Sequence, residues 1–234
     1  MSTDFQKAYE KLNKNQKVAV DTLDGPVMVL AGPGTGKTQV LTLRIANILQ
    51  KTDTQPNSIL ALTFTEAAAR EMRERLVNLI GTAGYFVRIH TFHGFCQSVI
   101  TENPDLFPGF QDQSLLTDLD RVRLLEKLIT EIDIEVMRPL NSPFYYLNAI
   151  QSSIRDLKRE GVSVKDFQKI VKNLDDSTKE RELKKLQELS LIYKEYQAEL
   201  LKENRLDFED LINIVTDRLK KDDILHLSYQ EKLA

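Results

Sequence analysis

The stretch Val27–Thr38, VMVLAGPGTGKT, decides how this 234-residue chain is read. Five apolar residues run straight into a glycine-rich turn, and a series of good helix formers, Lys37–Gln50, follows at once. A strand, a Gly-rich turn and a helix in that order form the setting in which backbone can wrap a phosphate. Gly34 and Gly36 allow the backbone to aim successive N–H groups inward around a β-phosphate. Lys37 then lies against the β- and γ-phosphates, and the Thr38 hydroxyl completes the shell of a Mg²⁺ carried in with the nucleotide. Ala31 opens the eight-residue pattern where its strict form has Gly, and Gly32, Pro33 and Thr35 fill the variable positions. ATP and Mg²⁺ are the expected cofactors, held by Ala31–Thr38, with Lys37 and Thr38 as the catalytic candidates.

On either side of the loop, the first 112 residues alternate short apolar runs with helical stretches. Val27–Ala31, Ile59–Phe64 (ILALTF) and Phe86–His90 (FVRIH) have the length and composition of strands covered on both faces. Helical stretches Lys37–Gln50 and Glu66–Ile80 separate them, which implies βαβ crossovers and a parallel sheet. Beyond Pro104 and Pro108 the pattern becomes helical. Leu115, Leu119, Val122, Leu125, Leu128 and Ile129 recur at helical spacing, as do Leu183, Leu186, Leu189, Tyr193, Tyr196 and Leu200. Gly161 reads as a helix stop. The acidic Leu206–Leu211 (LDFEDL) has no apolar run before it and reads as a helix start rather than a metal-holding strand end. The expected division is therefore an α/β nucleotide-binding part over 1–112, a helical part over 113–206, and a return toward the first over 207–234.

Composition narrows the classes further. Hydrophobic residues at 41% and charged residues at 29% are ordinary for a globular protein, and no run approaches a membrane span. The N-terminus carries no apolar stretch of the secretory kind, so a cytoplasmic protein with no membrane partner is expected. Oligomeric state is not legible. One cysteine, Cys96, sits among Phe92, Phe95 and Val99; it excludes an internal disulfide and reads as a buried small hydrophobe. A net charge of −3 gives no global attraction to nucleic acid, so any such contact must be local.

Three further segments acquire meaning beside the loop: Leu12-Asn13-x-x-Gln16 upstream, then Thr63-Phe64-Thr65 with Ala67-Ala68-Ala69-x-Glu71-Met72, then Thr91-Phe92-His93-Gly94-Phe95. Together with AGPGTGKT and Arg44, their order and spacing resemble the UvrD/Rep-type superfamily I DNA helicases, over essentially the whole chain. The resemblance implies a RecA-like P-loop sheet with an all-helical insertion, and a parent that couples ATP hydrolysis to 3′-to-5′ movement on single-stranded DNA and meets a duplex junction. It also implies that Gln16 reads the adenine, an amide offering a donor and an acceptor to one base edge. Thr63, Phe64, Thr91 and His93 would line the single-strand groove, Phe64 as a stacking face and the others as polar contacts that do not read sequence.

The chain also departs from that pattern. Gln39 stands where family members commonly carry Arg against the base, so an amide replaces a guanidinium beside the nucleotide. Glu66-Ala67 stands where Asn-Lys is common, which is more similar to the RecB/AddA-type helicase–nuclease branch and removes a cation near the DNA path. The Glu66/Arg70 and Glu71/Arg75 spacings are sufficiently explained as i,i+4 pairs on a solvated face. Family members continue past the region resembling Ile224–Ala234 into an Asp-Glu strand and a second motor domain with arginine fingers. The sequence therefore reads as an N-terminal portion that binds nucleotide but hydrolyses it poorly by itself. A helicase subunit of a helicase–nuclease is the alternative among enzymes, and a degenerate nucleotide-sensing DNA-binding module the alternative outside them. A small-molecule kinase leaves Gln16 and Thr91–Phe95 unexplained.

Overall fold

The computed structural model describes residues 3–174 and 179–233. It opens with α1 (Thr3–Glu10), α2 (Lys14–Asp21) and α3 (Lys37–Lys51), followed by β1 (Leu60–Thr63), α4 (Glu66–Ile80), β2 (Arg88–Thr91) and α5 (Phe92–Glu102). Then come β3 (Ser114–Leu115), α6 (Asp118–Glu131), α7 (Leu147–Arg159), α8 (Val164–Lys172) and α9 (Glu180–Lys202). The chain closes with β4 (Arg205–Leu206), α10 (Phe208–Lys221) and α11 (Asp223–Lys232). The protein is thus mixed α/β, mostly helical, with two small parallel sheets. Among the described residues no helix is long and apolar enough to cross a membrane. Two compact units divide the chain, one of residues 1–95 with 219–234 and the other of residues 96–218.

In the first unit, β1 and β2 pair in parallel, with Leu60 opposite Arg88 and Thr63 opposite Thr91. Helix α4 is the crossover between them, started by Thr65, whose side chain accepts the Ala68 N–H. Ala61, Val87 and Ile89 from the sheet region join Leu43, Ala46, Ala69, Met72 and Leu76 in one buried cluster, to which Phe5 and Val20 of the first two helices also belong. Arg73 of α4 spreads its guanidinium over the carbonyls of Tyr85, Val87 and Ile89 at 3.0–3.1 Å. These carbonyls, of Ile89 on β2 and of Tyr85 and Val87 in the segment leading into it, are thereby satisfied without another strand.

The strand expected at Val27–Ala31 does not form. No ladder partner flanks it among the described residues, so its backbone has nothing to pair with and it cannot be buried on two faces. Its side chains nonetheless alternate as a strand's do, Val27 and Val29 at 38% and 48% exposure against 83% and 87% for Met28 and Leu30. The apolar composition that marked it as a strand is real; among the described residues no sheet stands beside it to cover it.

The second unit is a helical assembly around Leu125, Ile129, Ile150, Ile154, Ile192 and Tyr196. The helical spacings at 115–131 and 180–203 correspond to α6 and α9. Gly161, at φ +67°, ends the turn after α7 in a conformation that a Cβ would strain. Leu206–Leu211 divides between the short β4 and the first turn of α10, so the acidic run does start a helix. Two buried ionic devices hold this unit. Glu188 of α9 accepts three backbone N–H groups, from Glu135, Val136 and Met137, at 2.8–3.0 Å. Lys158 of α7, 1% exposed, donates to Asp207 at 2.6 Å and to both oxygens of Asp210 at 2.8 and 2.9 Å. Cys96 is buried, and burial pushes its thiol up to about 11, in keeping with a small hydrophobe rather than a nucleophile.

Candidate functional site

The glycine-rich loop is exposed from Ala31 to Thr35 and ends at Gly36, which caps the N-terminus of α3. Gly34 at φ +72° and Gly36 at φ +81° both take the left-handed backbone conformation that residues with a Cβ resist. The first residue of α3 is Lys37, so the positive end of a 15-residue helix and a cation begin at the same point. The Lys37 ammonium turns back over the loop, donating to the carbonyls of Gly32 at 2.5 Å and Ala31 at 3.2 Å. Thr35 closes the same turn through a 2.8 Å bond to the Gly32 carbonyl.

Gln16 reaches this loop because of how α2 is started and braced. Asn13 and Gln16 form a reciprocal capping box, the Gln16 carbonyl oxygen accepting the Asn13 N–H at 2.9 Å. Its amide nitrogen donates to the Thr35 carbonyl at 3.0 Å. Arg44 of α3 clamps the C-terminal end of α2, donating to the carbonyls of Ala19 at 2.8 Å and of Thr22. Asn47 does the same to Val20 at 3.0 Å. Arg44 therefore fixes the helix that carries Gln16. The side chains of Gln16 and Gln39 both lie beside Gly36, 3.5 and 3.8 Å from where a Cβ would stand. Gln39 also opens onto a cavity of about 390 Å³ lined by Asp4, Ala8, Thr42, Arg75 and Asn78 among others. A second cavity, of about 300 Å³, lies along Val27, Val29, Val40 and Lys37.

The four residues expected at a single-strand groove are brought to one end of the β1–β2 pair but differ in access. Phe64 is 92% exposed, its ring 5.6 Å from that of the partly exposed Phe92. His93 is half-buried in the first turn of α5. Thr63 and Thr91 are buried beneath them at 8% and 7%. The Thr63 hydroxyl donates to the Thr65 carbonyl at 2.9 Å. That of Thr91 donates to a carboxylate oxygen of Glu66 at 2.9 Å and accepts the Gly94 N–H at 3.0 Å. Sequence spacing alone missed this contact, because the two residues are 25 apart and meet only through the βαβ crossover. It missed the cavity residues Asp4 and Asn78 for the same reason. Arg75 does pair with Glu71 on the helix surface, as its spacing implied.

Residues 12–234 match the family model described as the UvrD/REP helicase N-terminal domain. Similar relatives include the ATP-dependent DNA helicase PcrA of Bacillus subtilis (strain 168), 34% identical over 201 residues, 86% of this chain and 25% of the relative. PcrA of Staphylococcus epidermidis (strain ATCC 35984) is 32% identical over 203 residues, 87% of this chain and 26% of the relative. PcrA of Staphylococcus aureus (strain NCTC 8325) is 31% identical over 201 residues, with shares of 86% and 25%. The chain thus spans about a quarter of the length of these relatives. The matched residues take in the Gln16 tether, the glycine-rich loop, the Phe64 face and the helical unit together, and the chain belongs to the UvrD/REP helicase N-terminal domain family.

Proposed function

We propose that this chain is the ATP- and single-strand-binding part of an ATP-driven DNA helicase or translocase moving 3′ to 5′; the names of its relatives carry the ATP-dependent DNA helicase, and the motif resemblance carries the single strand and the polarity. The observation that carries the proposal is the loop itself: Gly34 and Gly36 in left-handed conformation, Lys37 folded over the loop and Gln16 hydrogen-bonded to it. The donor set fits a Mg²⁺-nucleotide. Backbone N–H groups of a glycine turn, an ammonium and a helix N-terminus are the groups that a polyphosphate needs. Ala31–Lys37 would hold the phosphates, Thr38 would contribute its hydroxyl to the metal, and Gln16 and Gln39 would face the base. When bound, the metal would withdraw charge from the γ-phosphate. The work of this chain's residues is to bind and orient: Lys37 leaves the carbonyls of Ala31 and Gly32, and Gln16 exchanges the Thr35 carbonyl for a base edge.

In this proposal residues 1–112 form the RecA-like ATP-binding part, 113–206 the helical insertion and 207–234 the return toward the first. Phe64 would stack a base, with His93, Thr63 and Thr91 around it, and the parent would meet a duplex junction while working in the cytoplasm. For the 234-residue polypeptide by itself slow turnover is expected, since among the described residues no acid stands at the end of a strand beside Lys37 and Thr38 to hold the metal. The Glu66-Ala67 pair favours a second reading, a helicase subunit of a RecB/AddA-like nuclease. A nuclease activity in the parent gene product would support that one.

Lys37→Ala should lower ATP affinity about tenfold or more, a loss of at least ~1.4 kcal/mol, with no change in melting, because the side chain is exposed. Unchanged ATP binding, titrated by fluorescence of a labelled nucleotide, would remove the loop from the site. Phe64→Ala should weaken binding of an oligo-dT strand by about 1–3 kcal/mol.

A further inference from the structure

We infer that Glu66 limits the affinity of the single-strand groove by occupying, with its own carboxylate, the hydrogen-bond donor that a DNA phosphate would need. The inference rests on the assignment of Phe64, Thr91 and His93 to that groove. Glu66 is the first residue of α4 and its side chain is exposed, whereas Thr91, the last residue of β2, is buried. A threonine hydroxyl has one proton and two lone pairs. The Thr91 proton goes to Glu66 at 2.9 Å, and one lone pair takes the Gly94 N–H at 3.0 Å. A phosphate oxygen only accepts, so the one group on Thr91 that it could use is already committed, as is the Gly94 N–H in the first turn of α5. Glu66 also places a full negative charge where the chain approaches Phe64, the side chain 92% exposed and available to a base. Both effects act against a phosphate and neither acts against the nucleotide loop, which neither of these two hydrogen bonds touches.

Two substitutions separate the effects. Glu66→Gln keeps an acceptor for the Thr91 proton and removes the charge, while Glu66→Ala removes both. Binding of a fluorescein-labelled oligo-dT strand to the full 234-residue chain, read by anisotropy at low salt, should tighten about threefold in Glu66→Gln, the effect of one charge pair roughly 6 Å apart in water. Glu66→Ala should tighten it further, and in a Thr91→Val background the gain from Glu66→Ala should fall to that of Glu66→Gln. Raising the salt should shrink the charge contribution first. Unchanged or weaker oligo-dT binding in both Glu66 variants, with melting unaltered, overturns the inference. If Phe64→Ala weakens binding in the same assay, the groove assignment survives that result and only the role of Glu66 falls. If Phe64→Ala is also silent, the groove assignment falls and takes the inference with it.

Discussion

Replacing Lys158 with Met isolates the buried ionic cluster of the helical unit. The Met side chain fills most of the space of the lysine stem, so the measured loss reports charge and hydrogen bonds rather than a cavity. Three bonds disappear, at 2.6, 2.8 and 2.9 Å, and two carboxylates at 2% and 7% exposure are left facing each other. They are not wholly abandoned. Tyr196 still donates to Asp207 at 3.2 Å and Gln197 to Asp210 at 3.3 Å, and each aspartate accepts the other's backbone N–H. Breaking one side of a buried pair destabilises by about 3–5 kcal/mol, and these residual donors point to the lower half of that range. The dependence on pH is the sharper test. In the intact cluster burial pushes Asp210 up to about 6, with Lys158 opposing and Asp207 reinforcing the shift. For Asp207 burial is the largest influence and acts upward too, but the Lys158 ammonium and the hydrogen bonds with Asp210 together outweigh it and the net shift is downward. Removing the ammonium raises both. A carboxylate raised above its unfolded value holds a proton in the folded state, so its contribution is favourable below the folded pKa and is lost as pH rises through it. The deficit of Lys158→Met should therefore be smaller near about pH 5 than near about pH 8. Urea unfolding followed by far-UV circular dichroism at both pH values measures it. A deficit below about 1 kcal/mol at the higher pH, or one that does not shrink on acidification, would refute the reasoning.

Other consequences follow from the same structure. Glu188→Ala strips three backbone N–H groups of their acceptor and should cost about 2–4 kcal/mol in urea unfolding, with Glu188→Gln recovering part of it by keeping an oxygen in place. Gln16→Ala removes one half of the capping box and the bond to Thr35, so stability should fall by about 1 kcal/mol and any preference for ATP over GTP should collapse in competition titrations; a preserved preference would take Gln16 away from the base. At about pH 8 the Cys96 thiol, held near 11 by burial, should react with Ellman's reagent on the order of a hundredfold more slowly in the folded chain than after unfolding in urea.

Much of the fold is legible from local pattern because local chemistry determines it. The helices over 37–51, 66–80 and 180–202 follow from good helix formers beside recognisable starts, Gly36 and Thr65 among them. The parallel pairing of Leu60–Thr63 with Arg88–Thr91 follows from two apolar runs separated by a helix long enough to cross over. Val27–Ala31 shows where that logic stops. Composition measures how well a segment suits a sheet, whereas a strand exists only beside a partner, and the alternating exposure of Val27 to Leu30 records the first without the second. The ionic clusters were illegible for a different reason. Lys158 meets Asp207 and Asp210 across about 50 positions, and Glu188 meets Met137 at a similar separation, so no periodicity within one helix could reveal either. Helical spacing offers Glu66 a neighbour four residues on, and only the βαβ crossover brings Thr91 to it.

A common feature of the candidate site emerges from these contacts. Lys37 donates to Ala31 and Gly32, Gln16 to Thr35, and Thr91 to Glu66, so three groups expected to meet a ligand are already engaged within the chain. Exchanging one neutral hydrogen bond for another changes the free energy by only about 1 kcal/mol or less, so such exchanges cannot by themselves supply strong binding. What a ligand adds must be something the internal partners lack. For Lys37 that is charge: its bonds to two carbonyl dipoles, already charge-assisted on the donor side, are replaced by bonds to anionic phosphate oxygens, which adds the attraction of opposite charges. For Gln16 the exchange is nearly even, which suits a residue that selects a base rather than one that holds it. For Thr91 the existing partner is already an anion, so a phosphate gains nothing over Glu66 and must first displace it. On the proposed reading the glycine-rich loop is therefore the stronger site and the Thr91 position the weaker, and at Thr91 the weakness lies in the single carboxylate of Glu66.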